Sequence, residues 1–118
     1  MKVSISKVRT DDGFTYRIEA KDHATGSPEV CNAISGIMYG IVGYMMNRDD
    51  IEKSYKLEKD QKSPEAMAEC WVHGTDEGID AIWHFFVITI LQIEQSYPRY
   101  IDVSVYMDEF PADKGAKL

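Results

Sequence analysis

A chain of 118 residues fits one domain and is long enough to bury a core without staples. Twenty acidic against 13 basic residues give a formal net charge of −7, the wrong field for gripping phosphates, so the expectation is no nucleic-acid partner. No apolar run approaches the ~20 residues a membrane span needs.

The opening Met1 to Ser6 has no signal-peptide core and is followed by charge at Lys7 and Arg9. A cytoplasmic location is therefore expected, with Cys31 and Cys70 reduced rather than bridged. Val3 and Ile5 begin an apolar–polar alternation, and Phe14, Tyr16 and Ile18 repeat it. Asp11-Asp12-Gly13 stands between the two runs and predicts a β-hairpin. Lys21 to Ser27 is small, polar and glycine-containing, and is read as a loop.

A helix follows. Ser27 suits the N-cap, Pro28 the first helical position and Glu29 the positive end of the dipole. Val30, Ile34, Ile37, Met38, Ile41 and Met45 then recur at helical spacing as far as Asn47-Arg48-Asp49-Asp50. Gly36, Gly40 and Gly43 each cost about 1 kcal/mol against Ala, which predicts close packing against another element.

Ile51 to Glu58 and Met67 to His73 are read as an antiparallel pair around a polar turn. Lys53, Lys56, Lys59 and Lys62 are expected to form a solvated strand edge. Thr75 or Asp76 can cap a second helix, apolar nearly all round between Ile82 and Leu91, which Tyr97-Pro98 stops. Ile101, Val103 and Val105 form a last strand. The order is ββαββαβ: an α+β fold with a mostly antiparallel sheet and both helices on one face. Residues 1–112 are read as a single domain, and 113–118 as a disordered tail.

Chemistry concentrates at the loop–helix junction. Cys31 falls in the first turn of the first helix, where unpaired amides and the dipole favour an anion. His23 precedes it in a loop that can fold back, and a thiol with an imidazole base is the arrangement for covalent acyl transfer. Amides at the helix start can steady an oxyanion. A Cys at a helix start is more often a small buried hydrophobe, and a loop His is more often solvated. The residues alone leave both readings open. No cofactor and no metal site are expected: Cys31, Cys70, His23, His73 and His84 lack zinc-ligand spacing, and no Walker-type loop is present.

Lys21-Asp22-His23-Ala24, followed by Val30-Cys31-Asn32-Ala33-Ile34-Ser35, resembles the two signature segments of the ribosomal-processing cysteine protease family Prp. The likeness spans nearly the whole chain, because ββαββαβ is also that family's order. Asp22 stands where the family usually has Gly, the His-to-Cys loop is shorter, and Pro28 replaces an acidic residue that Glu29 adjoins. The resemblance implies a cysteine endopeptidase, with Cys31 as nucleophile and His23 as general base. Its substrate would be a basic N-terminal extension of a ribosomal protein, or a phage capsid or scaffold segment. Asp22, Ala24, Gly26, Glu29 and Ser35 are the expected substrate-binding residues. The family's habit implies a homodimer, as does the all-round apolar second helix. The rival reading keeps the fold as a non-catalytic protein-binding module.

Overall fold

A computed structural model of the chain describes residues 1–22, 24, 26–57 and 65–108. The first alternation closes into a hairpin of β1 (Lys2–Arg9) and β2 (Gly13–Lys21). Its turn is held by a hydrogen bond of 2.8 Å from the Thr10 amide to the Gly13 carbonyl. Gly13 is already a strand residue, opposite His73. A Cβ there would meet the Val72 carbonyl oxygen at 1.9 Å, so only glycine permits that approach.

The next element is helix α1 (Pro28–Met46), after which come β3 (Glu52–Leu57), β4 (Glu65–His73), helix α2 (Glu77–Ser96) and β5 (Asp102–Met107). The five strands form one sheet in the order β3-β4-β2-β1-β5. Every pairing is antiparallel except β1 with β5. The expected α+β fold is the one observed. The β3–β4 pair differs at its ends, because β4 starts at Glu65 rather than Met67; the turn between the two strands lies outside the described residues. So do the turn lysines 59 and 62 and the tail at 113–118.

Period-two patterning decides which sheet face is covered. Val3, Ile5, Phe14, Tyr16, Ile18, Ala68 and Cys70 are buried. Register places Val3 beside Ala20, Ile5 beside Ile18 and Tyr16 beside Cys70 on that one face. Val30, Ile34, Met38, Ile41 and Met45 of α1 and Ile79, Trp83, Val87 and Ile90 of α2 complete the same core. Both helices therefore lie on one face.

Two expectations need correction. Gly36 and Gly43 are not packed: nothing lies within 4 Å of a Cβ built on either, and only Gly40 meets a neighbour, the Phe86 ring at 3.7 Å. Lys53 is not a solvated edge residue, since it is half-buried and its ammonium donates to the Arg48 carbonyl. Lys7 is 3 % exposed on the helix-facing side of β1. Its ammonium pairs with Asp80 and stands 4.6 Å from the Phe14 ring centroid.

Candidate active site

The end of β2 runs into a reverse turn that the helix cap completes. The Ser27 amide donates to the Ala24 carbonyl at 2.9 Å, closing the turn. Gly26 has φ +91°, a backbone conformation that glycine enters without strain. Ser27 is the N-cap, its hydroxyl accepting from the Val30 amide at 3.4 Å, and Pro28 opens the helix. The Glu29 carboxylate accepts from the same hydroxyl at 3.3 Å, so Glu29 supports the cap from an exposed position. Asp22, just before the turn, has φ +66°. That left-handed conformation is the natural place for glycine, and Asp is among the side chains that tolerate it. Asp22 is thus compatible with the backbone its position requires.

This turn lays Ala24 against the thiol. The Ala24 amide donates to Cys31 Sγ at 3.3 Å, and Sγ lies 4.0 Å from the Ala24 carbonyl oxygen. Ala24 is buried and Cys31 half-buried, so the sulfur is held on one side by backbone and remains partly open to solvent. His23 lies outside the described residues. Ser35, one helical turn after Cys31, and Asp22 line a common small cavity together with Glu65. The geometry thus brings together Cys31, Ala24, Gly26 and Glu29 around the cap, with Asp22 and Ser35 at the adjoining cavity.

Glu65 could not be picked from its surroundings in the sequence. It arrives through the β2–β4 register, which sets it opposite Lys21, a pairing no local signal specifies. Cys70 behaves as expected of a core residue: it is buried, and burial pushes its thiol up to about 12. The other histidines stand elsewhere. His73 Nδ1 is 2.8 Å from Asp12 and its Nε2 3.3 Å from Glu52, while His84 Nδ1 is 3.7 Å from Asp80. Among the described residues no group of three His, Cys, Asp or Glu side chains could hold a metal ion. Among them, too, no helix is long and apolar enough to cross a membrane.

At the opposite end of the sheet, a cavity of about 470 Å³ is lined by Lys7, Phe14, Tyr16, Asp80 and His84, among others. Burial pushes the Asp80 carboxyl up, but hydrogen bonds from Lys7 and Tyr16 outweigh it and hold the group below the ordinary carboxylate range.

Residues 2–102 match the family described as Cysteine protease Prp. Among curated proteins, none matches this chain. Similar solved structures include the ribosomal processing protease Prp from S. aureus with a covalently linked product peptide. It is 17% identical with a TM-score of 0.66, over 88% of this chain and 97% of that one. SMU.848 from Streptococcus mutans is 16% identical with a TM-score of 0.63, over 91% and 96%. The S. aureus protease with a substrate peptide is 16% identical with a TM-score of 0.60, over 88% and 97%.

Proposed function

Because this chain belongs to the Prp family of cysteine proteases, we propose that it is an endopeptidase in which Cys31 is the nucleophile and His23 the general base. The observation that carries the reading is the Ala24 amide donating to Cys31 Sγ. It fixes the thiol beside the backbone of the residue that follows His23, and consecutive Cα atoms lie only ~3.8 Å apart. In this reading His23 takes the thiol proton as Sγ attacks the scissile carbonyl carbon. It returns that proton to the departing amine, leaving a thioester that water hydrolyses. Amides at the start of α1 supply donors for the oxyanion.

The substrate is a protein segment held in extended form across the loop from Lys21 to Glu29. Ribosomal processing supports a basic N-terminal extension as that segment: the S. aureus relative is a ribosomal processing protease, and the net charge of −7 favours a cationic chain. A phage capsid or scaffold segment is the second substrate class to test. The protein acts in the cytoplasm as a homodimer. Phe85 is 64% exposed, Tyr39 51% and Met46 56%, an amount of outward apolar surface that supports pairing with a second copy.

The test is incubation of the protein with ribosomal and capsid precursors, read by mass. Cleavage is expected, abolished in Cys31→Ala and reduced more than ~100-fold in His23→Ala, the scale on which a general base contributes. If Cys31→Ala binds a precursor as tightly as the unaltered protein and neither cuts it, the chain is a binding module instead.

A further inference from the structure

One cavity begins about one helical turn beyond Cys31, at Ile34 and Ser35, and is not accounted for by the chemistry of bond cleavage. It measures about 70 Å³ and lies between the Cys31 face of α1, the end of β2 and the start of β4. Its apolar surface comes from Ala20, Ile34, Met38 and Ala66. Ile34 and Met38 follow Cys31 by three and seven residues, so they share its helix face. At the mouth stand two exposed carboxylates, Asp22 and Glu65. None of the lining side chains carries a positive charge. The chain's amino terminus, on the lining residue Met1, donates instead to the Tyr100 carbonyl at 3.0 Å. Glu65 pairs with Lys56 at 3.7 Å, about half exposed at both ends, so that a competing cation can displace the pair.

An apolar slot with an acidic mouth matches one kind of side chain: an aliphatic stem that buries while its charged head stays in water. From this we infer that the cavity is a specificity subsite for a lysine or arginine of the substrate, with Asp22 and Glu65 receiving the cationic head. The inference rests on the endopeptidase reading and extends it from an overall charge preference to a single substrate position. Asp22 matters most, because it lines the cavity directly after β2, and among the described residues no cation pairs with it as Lys56 does with Glu65.

A synthetic decapeptide library with norleucine among its residues tests this, with cut sites mapped by mass spectrometry. The unaltered protein, Asp22→Asn, Glu65→Gln and Cys31→Ala are compared. Lysine and arginine should be enriched about five-fold over norleucine at one position within a few residues of the cut, the scale of two solvent-exposed charge contacts. The enrichment should fall toward one in Asp22→Asn and partly in Glu65→Gln. Asn tolerates the left-handed backbone, so the first variant changes charge and not conformation. Cysteine-dependent cuts with no such enrichment, or with an enrichment that survives both substitutions, overturn the subsite and leave the endopeptidase reading standing. No cuts beyond those of Cys31→Ala overturn both.

Discussion

Cys31 and Cys70 are the same side chain in two environments, and the contrast predicts their reactivity. Cys70 is buried between strands with its thiol pushed up to about 12, whereas Cys31 is partly open at the first turn of α1. At pH 7.5, far below the Cys70 value, iodoacetamide should label Cys31 at least ~100-fold faster in the native protein. Equal rates, read by peptide mapping, would mean that Cys31 is a core thiol. A second residue-scale prediction concerns Lys7. Its ammonium is buried against Asp80, with Phe14 and Tyr16 beside it. Lys7→Ala strands a carboxylate held by that pair and should cost about 2 kcal/mol, less than the ~3–5 kcal/mol of a fully buried pair because Asp80 is one-third exposed. Denaturant midpoints measure it. Position 7 also marks where the sequence is hard to read: alternation puts Lys7 on the inner face with Val3 and Ile5. Only the partner 73 residues later makes that burial tolerable. Asp22 is similar, since nothing in its neighbours announces a positive φ.

At the scale of elements, helix starts are legible because capping is local. Ser27 and Asp76 each accept from the amide three residues on, at 3.4 and 3.0 Å, as their residue types lead one to expect. Ser27→Ala should lower stability by ~1 kcal/mol and loosen the turn that places Ala24 on Sγ, visible as faster amide exchange at Ala24 and Val30. Strand order is less legible. The hairpins follow from turns and alternation, but the insertion of β4 beside β2 rests on a register between residues some 50 positions apart. Part of that join is electrostatic. His73 on β4 meets Asp12 in the β1–β2 turn and Glu52 on β3. Hydrogen bonding to Asp12 raises the His73 pKa from its ordinary 6.5, and the same contact lowers Asp12 from 3.8. A raised histidine stabilises fully below its unfolded value and loses that effect as pH rises through the folded one. A lowered carboxyl stabilises above its unfolded value and loses the effect as pH falls through the folded one. The thermal gap between the protein and His73→Ala should therefore be widest between the ordinary values of the two groups, 3.8 and 6.5, and shrink as pH rises past the ordinary histidine value. A gap that is flat with pH sinks the assignment.

At the scale of the whole molecule, exposed apolar side chains stand on the strands, as at Tyr55 and Tyr106, and on the helical layer, where Tyr39, Met46 and Phe85 gather. Core formation explains Ile79, Trp83, Val87 and Ile90, which bury completely on one stripe of α2. It does not explain Phe85, 64% exposed and stacked edge-on against Phe86 at 5.6 Å between centroids. Across the helix pair, Gly40 faces Phe86, while Gly36 and Gly43 open onto space with Tyr39 and Met46 exposed beside them. Glycines in a helix interior cost stability, and here only Gly40 recovers any of it by packing within the chain. A second copy set against this face would bury the rings and use the absence of side chains for close helix approach. Light scattering at micromolar concentration should give twice the chain mass of 13.5 kDa. Phe85→Glu should return the monomer mass with the thermal transition of its isolated chain still cooperative, since Phe85 takes no part in the core. A 13.5 kDa species from the unaltered protein at that concentration would sink the dimer. A dimer that persists unweakened in Phe85→Glu would move the interface to another surface.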